Sequence, residues 1–447
     1  MLIDGGGVLI NHGEAAEGGD ASTVFKSYAR LSRHDASRVV ALMLMAKAVL
    51  AFSGGLGTMA ALHLLKKKKG LSVVTFTANM GQKGSTEQAG EKALQIGADS
   101  AHVGDLREKF VESYVWPSLR AGAVYESGYA LATALARPLI VAELVKIVRE
   151  ENADFLAHGC AGKSNDQVRF EASAAALAPD IQVLAPLREF RLLRLDELAK
   201  YCTANNLGEG KDAGSRFSIT ENVWGTSMEW TRAPDSFDPV PEAVYRLTQN
   251  PEQAPDKPEE ILVGFERGVP VSIDGEKIAP VPLLERLNVR AGAHGVGRLV
   301  TMEDRLIGIK MREVYEQPAA TVLHTAKRAL EQLVLSRELV LFKTRLAEKY
   351  AELTYNGLWF SELREALDAF FEKTCEYVEG EVKVQVFKGS AHAAGVRSKF
   401  SLYSRGLAAP TTDGDEFSHE AVRGFMDTIS LSMKHQSEHW KKEVTQD

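Results

Sequence analysis

Cysteine is scarce in this chain: three residues among 447, Cys160, Cys202 and Cys375, stand far apart and in no metal-ligand spacing. That pattern excludes a disulfide framework and a structural zinc site, and it fits a reducing compartment, so the sequence reads as cytoplasmic. An excess of positive charge is also missing. Basic residues number 53 against 60 acidic ones, for a net charge of −7 and an isoelectric point near 6.0. Nothing in that balance supports a nucleic-acid partner. Long hydrophobic runs are absent too: Val39 to Ala46 is interrupted by Lys47 before Ala48 to Phe52 resumes it, too short for a membrane span. The opening residues carry Asp4, Glu14, Glu17 and Asp20, unlike a secretory signal or a transit peptide. The eleven histidines form no HExxH pair, which removes sequence support for a metalloprotease; no Ser-His-Asp set can be read from the order of residues alone.

What is present is an ordinary globular composition, 45% hydrophobic and 25% charged, over a length that implies roughly two or three domains. From Ala48 onward, β-like runs at 73–78, 100–103, 154–158 and 181–185 alternate with amphipathic stretches around 85–97, 107–120, 138–150, 166–178 and 192–205. This alternation implies an α/β fold with a parallel, Rossmann-like sheet, whose ligands bind beyond the C-terminal strand ends. The first such end carries Ser53-Gly54-Gly55-Leu56-Gly57-Thr58, which leads into the helix-like Met59 to Leu65. Paired glycines, two hydroxyls and a helix N-terminus build an anion cradle; a plain tight turn is the alternative. A second polar cluster, His158 to Glu171, again follows a strand and opens a helix. Asn165 and Arg169 share one helix face at i and i+4, with Asp166 beside them, a set suited to the amine and carboxylate of an amino acid. Helix capping by Asn165 or Asp166 explains the same pattern.

Two other glycine motifs fail on context. Gly162-Lys163-Ser164 lacks the upstream glycine of a phosphate loop because position 157 is Ala, and Gly292 to Gly297 has no preceding strand. Beyond about 213 the pattern is less regular, an α+β block with a long helical stretch at 317–349, a helix at 361–378 and a strand at 382–387. Helical spacing of Val422, Phe425, Met426, Ile429 and Met433 describes an arm packed either on a partner subunit or on its own domain. The expected organisation is an extension over 1–45, disordered or partly helical, a nucleotide-binding domain over 46–212, a synthetase domain over 213–405 and a helical arm over 406–447.

Several of these segments together resemble the argininosuccinate synthases, ATP pyrophosphatases of the PP-loop type. The resemblance runs from about Ala46 to about Tyr403 and rests on Ala51-Phe52-Ser53-Gly54-Gly55-Leu56, Thr77 to Gln82, Ala136-Arg137-Pro138, Gly162 to Glu171, His294 to Arg298 and Val314-Tyr315-Glu316. It implies a ligase that joins citrulline to aspartate with ATP, giving argininosuccinate, AMP and pyrophosphate through a citrulline-adenylate, with magnesium on the phosphates and a homotetrameric assembly. It further implies ATP at Ala51, Ser53, Gly54, Gly55, Thr58, Ala78 and Gly159, with pyrophosphate on the loop. Citrulline falls to Tyr129, Asn165, Arg169, Ser218, Ser227, Glu303 and Tyr315, aspartate to Thr133, Asn165 and Asp166, and the catalytic roles to Asp166 and Arg169. No residue is assigned as a metal ligand.

The chain also departs from the family pattern. The family loop reads Ser-Gly-Gly-Leu-Asp-Thr-Ser, whereas Gly57 replaces the aspartate and Met59 the last serine. Ala161 stands for threonine, Ser164 for glycine and Ala134 for serine, and a Lys-Ser-Arg-Gly segment becomes Lys310-Met311-Arg312-Glu313. Each lost hydrogen bond to a charged group costs roughly 1.5–3 kcal/mol. Three readings follow: a synthase that tolerates the changes, an adenylating ligase with a different amine or carbonyl substrate, or a non-catalytic relative with an impaired phosphate loop. Restoring Asp at 57 and Ser at 59 is expected to raise turnover if only the phosphate site is affected. Family chains begin just before the first strand, so Met45-Ala46-Lys47 reads as a start and 1–44 as a dispensable or mispredicted one.

Overall fold

The computed structural model describes residues 2–4, 7–9, 46–126, 128–160, 163–208, 217–408 and 416–444. The helix expected within 1–45 lies outside the described residues. At the start of the chain, β1 (Leu2–Asp4) and β2 (Gly7–Leu9) pair as an antiparallel ribbon.

The nucleotide-binding half is a five-stranded parallel sheet of β3 (Lys47–Ala51), β4 (Ser72–Asn79), β5 (Ser100–Asp105), β6 (Phe155–Ala157) and β7 (Gln182–Leu184), in the order β5-β4-β3-β6-β7. Its central strands are apolar on both faces because helices cover both. Ala48 and Leu50 pack on the Leu56–Lys67 helix, while Val49 and Ala51 face the Ala132–Glu150 helix. The chain steps outward from β3 to β5, then returns to lay β6 beside β3, so the strand order reverses between those two. Ligands of such sheets bind at that switch point. Both polar clusters found in the sequence sit there, one after β3 and one after β6.

The second half is antiparallel. One sheet has the order β13 (Arg298–Asp304), β14 (Lys310–Glu316), β9 (Gly225–Trp230) and β8 (Phe217–Asn222). The other runs β12 (Glu276–Lys277), β11 (Val269–Ile273), β10 (Glu259–Glu266), β15 (Gly380–Phe387) and β16 (Ser390–Arg397), with the Pro318–Val334 helix packed on its last two strands. Alternation along β15 buries Val382, Val384 and Val386 beneath that helix.

Several boundaries differ from expectation for local reasons. The 317–349 stretch is two helices, Pro318–Val334 and Arg337–Tyr355, because the Ser336 hydroxyl accepts from the Leu339 N–H and caps the second one. The helix read from 138 starts at Ala132: Pro138 prefers a first turn but lies inside, where its missing N–H leaves a carbonyl without a helical donor. The 107–120 stretch is broken by a π-turn at Val111–Val115. The arm forms two helices, His419–Ile429 and Leu431–Val444.

The Arg337–Tyr355 helix brings the second half back to the first. Beyond it, Gly357 has φ of +78°, and a β-carbon there would lie 2.8 Å from the Arg169 α-carbon. Only glycine fits such a backbone approach in the left-handed region. Gly357→Ala is therefore expected to lower stability by about 1–3 kcal/mol and to displace Arg169; an unchanged melting temperature would contradict this contact.

Candidate functional site

The loop after β3 turns through Gly54, at φ +73°, and enters the Leu56–Lys67 helix with Gly55 as its N-cap. The Thr58 hydroxyl donates to the Gly55 carbonyl at 3.0 Å, and the Ser53 hydroxyl lies 3.5 Å from the Gly55 N–H. Among the described residues the N–H groups of Leu56 and Gly57 have no partner. Unpaired donors at a helix start suit a phosphate. Ala51 ends β3, Ala78 lies at the C-terminal end of the neighbouring β4, and Gly159 follows β6, so the ATP set shares one edge of the sheet.

At the second polar cluster, Ser164 caps the Asn165–Leu177 helix by accepting from the Asp166 N–H at 3.2 Å. Its hydroxyl is thus used where the family has glycine. Asp166 lies between two arginines: Arg137 Nε donates at 2.8 Å and Arg169 Nη1 at 3.0 Å. Burial pushes the Asp166 carboxyl up, but the two guanidiniums outweigh it and hold it at about 2. His158 accepts from the Cys160 N–H through Nδ1, so Nε2 is the atom that faces Glu171, at 3.3 Å; that contact and Arg188 bring the Glu171 carboxyl down to about 2 despite partial burial.

The opposite wall is the β13-β14-β9-β8 sheet. Pairing sets Glu313 opposite both Thr301 and Glu229, Tyr315 opposite Leu299 and Ser227, and Glu229 opposite Ser218. Directly paired residues share a face, so one face carries Glu303, Glu313, Tyr315, Ser227, Glu229 and Ser218. Tyr129 stacks on Tyr315 with ring centroids 4.0 Å apart, and its hydroxyl lies 2.6 Å from that of Thr133. Glu303 accepts from the hydroxyls of Tyr315 and Tyr355; burial raises its carboxyl against those two bonds.

These walls face each other across a narrow cleft lined by Tyr129, Thr133, Ser164, Asn165, Asp166, Arg169, Ser227, Glu229, Glu303, Arg305, Glu313 and Tyr315. Eight of the residues expected at citrulline and aspartate therefore meet in one place. Ser218 is the exception: it is on the same sheet face but on the edge strand β8, exposed and outside the lining.

Sequence reasoning missed Arg137, Glu229, Arg305 and Tyr355. Arg137 stood in a quoted motif without a role. Arg305 Nη2 binds Glu313 at 2.5 Å and Glu229 at 3.0 Å, and its Nη1 donates to the Lys163 carbonyl at 3.1 Å.

The structure also revises two departures. Met59 is fully buried against Leu50 and its neighbours, so its side chain faces the core and not the phosphate cradle. A β-carbon on Gly57 would lie 2.5 Å from the Gly159 carbonyl oxygen, and one on Gly159 would lie 2.8 Å from the Thr58 α-carbon. Loop and strand end thus touch backbone to backbone. Ala134 is buried in the core, and Ala161 lies outside the described residues.

A parallel sheet with a glycine cradle at its switch point, closed by an antiparallel domain bearing charged groups, defines an α/β protein of the nucleotide-binding type with an appended antiparallel-sheet domain. Comparison with known families agrees: residues 47–208 match the arginosuccinate synthase N-terminal HUP domain and residues 217–436 the arginosuccinate synthase C-terminal domain. The argininosuccinate synthase of Symbiobacterium thermophilum is 49% identical over 390 residues, 87% of this chain and 96% of that one. Those of Chlorobium luteolum and Chlorobium phaeobacteroides strain BS1 are 44% and 45% identical over 392 residues, covering 88% of this chain and 98% and 97% of theirs. The chain belongs to the argininosuccinate synthase family.

The Gly57 contact reverses the expectation that a restored aspartate helps. Gly57→Asp is expected to force the loop away from Gly159, an overpacking cost of about 1–3 kcal/mol, and to weaken binding of a non-hydrolysable ATP analogue by about five- to a hundredfold. Tighter binding in calorimetry would show instead that the loop opens for a carboxylate.

Proposed function

We propose that this chain is an ATP-dependent ligase that joins citrulline to aspartate, releasing AMP and pyrophosphate and forming argininosuccinate. The observation that carries the reading is the single cleft in which the Asn165 helix and the β13-β14-β9 face meet beside the glycine cradle. In this reading Ser53, Gly54, Gly55 and Thr58 hold the pyrophosphate portion of ATP, while Ala51, Ala78 and Gly159 border the nucleotide. Tyr129, Asn165, Arg169, Ser227, Glu303 and Tyr315 hold citrulline, with Ser218 on the same sheet face but outside the cleft lining, and Thr133, Asn165 and Asp166 hold aspartate.

The citrulline ureido oxygen attacks the α-phosphorus and pyrophosphate leaves; the aspartate amine then attacks the ureido carbon and AMP leaves. Both steps need exclusion of water and orientation of two zwitterions. Asp166, held at about 2, stays ionised at neutral pH, so it orients an N–H donor and takes no proton. Arg137 and Arg169 keep it in place and give the cleft a positive end for a substrate carboxylate. Magnesium fits the phosphates better than the protein, because among the described residues no three His, Cys, Asp or Glu side chains form a metal cluster, and this ion commonly rides on phosphate and water. When bound it would offset phosphate charge, near the loop.

We place the reaction in the cytoplasm and the chain in a homotetramer. Among the described residues no helix is long and apolar enough to cross a membrane. Along the arm Phe425, Met426, Ile429, Leu431, Met433 and Trp440 are each more than half exposed, an apolar stripe that a partner copy would cover.

Three outcomes are expected. AMP and pyrophosphate release should require both amino acids and yield argininosuccinate; release with neither, or a product other than argininosuccinate, would overturn the reading. Asp166→Asn leaves the buried Arg169 guanidinium and the partly buried Arg137 one without their carboxylate, a cost of about 3–5 kcal/mol, and turnover should fall at least about a hundredfold with ATP binding retained. Sedimentation should give the mass of four chains, and removal of residues after 416 a smaller species.

A further inference from the structure

The turn between β13 and β14 reaches across the cleft to the start of the Asn165 helix. Its backbone is closed on itself: the Arg305 N–H donates to the Ile309 carbonyl and the Gly308 N–H to the Arg305 carbonyl, both at 2.9 Å, with Gly308 at φ +78°. From that fixed base two consecutive residues hold the helix start. Arg305 Nη1 donates to the Lys163 carbonyl at 3.1 Å, and the Leu306 N–H donates to Asn165 Oδ1 at 3.2 Å. The Lys163 side chain is exposed, so its carbonyl is the part the fold uses.

The guanidinium is aimed from behind. Its Nη2 binds Glu313 at 2.5 Å and Glu229 at 3.0 Å, two carboxylates set opposite each other on β14 and β9. Like charges so placed repel, and the cation they share is steered by both. Two departures from the family pattern converge on this arginine. Glu313 and Ser164 both stand where the family has glycine, and Arg305 takes Glu313 with one nitrogen and the carbonyl just before Ser164 with another. Ser164 in turn accepts from the Asp166 N–H at 3.2 Å. A line of contacts therefore runs from the sheet wall to Asp166, through Arg305, Lys163 and Ser164.

We propose that Arg305 is a positioning residue for the aspartate step, anchored by Glu313 and acting through Lys163 and Ser164 on Asp166. This rests on the ligation reading above, in which Asp166 holds aspartate. Arg305 needs no contact with either amino acid in this role. Asn165 is held independently, by the Leu306 N–H and the Tyr355 hydroxyl, and those bonds do not use the Arg305 side chain. Adenylation of citrulline and attack by aspartate thus respond differently to Arg305. A misplacement of about 1 Å in a group that orients a reactant costs on the order of a hundredfold in rate, and here that cost falls on the second step.

Arg305→Lys separates the two steps. A single ammonium stays with the carboxylates and lacks the second arm of the guanidinium fork, so Lys163 is released while the wall keeps its cation. Exchange of labelled pyrophosphate into ATP, driven by citrulline with aspartate absent, should stay within about twofold of the parent chain, whereas kcat/KM for aspartate should fall about ten- to a hundredfold. Glu313→Gly should lower kcat/KM for aspartate by about three- to tenfold and leave the exchange alone, since Glu229 keeps Nη2; where Arg305→Lys does not fold, this variant carries the test. Equal losses in exchange and ligation, or an unchanged aspartate dependence, overturn the proposal. If the parent chain forms no argininosuccinate, the ligation reading fails and the clamp is judged without substrate. Amide hydrogen exchange over residues 164–170 should then be about tenfold faster in Arg305→Lys, with the Leu56–Lys67 helix unchanged. Unchanged exchange over 164–170 overturns the clamp itself.

Discussion

The buried hydroxyl of Tyr355 is the joint on which the site depends. It accepts from Asn165 Nδ2 at 2.7 Å and donates to Glu303, so one atom links the helix that follows β6 to the antiparallel sheet. The other end of the same residue is tied as well: its carbonyl accepts from Arg169 Nε at 3.0 Å, and its ring stacks on Tyr125 with centroids 3.7 Å apart. Asn165 completes the joint by accepting from the Leu306 N–H with its Oδ1. A buried network of this sort is stable only when every member is satisfied. Here both polar atoms of the Asn165 side chain are engaged within the protein, so the spacing of the two walls is set before a substrate arrives.

Charge follows from that spacing. The helix wall holds two guanidiniums and one carboxylate, the sheet wall one guanidinium and three carboxylates, and the cleft between them is polar at both ends. A zwitterion aligns in such a field, which is the preorganisation that ligation of two amino acids requires. Isolated buried charges are costly, and the structure spends its arginines accordingly: Arg137 and Arg169 on Asp166, and Arg305 on Glu313 while also holding the Lys163 carbonyl.

Much of the parallel half was legible because its signals are local. An apolar strand, a pair of glycines and a helix start put Ser53 to Thr58 in a glycine turn at a helix N-terminus, and the i, i+4 spacing put Asn165 and Arg169 on one face. The antiparallel half was not, since its strands carry short, half-exposed patterns and its registers depend on pairing: only the β9–β14 register reveals that Glu229 faces Glu313. Tyr355 and Arg305 were invisible for the same reason, acting on residues about 140 to 190 positions away in sequence. Ser218 shows the reverse failure, a motif position that an edge strand leaves exposed. Met59 and Gly57 show that a departure from a motif has no meaning until the direction of the side chain and the space around the α-carbon are known.

Joining the two halves of this account is the claim that the cleft presents the citrulline ureido oxygen to the nucleotide's α-phosphorus. Citrulline carrying the heavy oxygen isotope in its ureido group, incubated with ATP, aspartate and the full chain, reads that claim in the mass of the nucleotide product. The isotope should appear in AMP, one atom per turnover, as argininosuccinate forms. AMP free of the isotope, while argininosuccinate accumulates, would show that the oxygen never meets the phosphorus and would contradict the arrangement described.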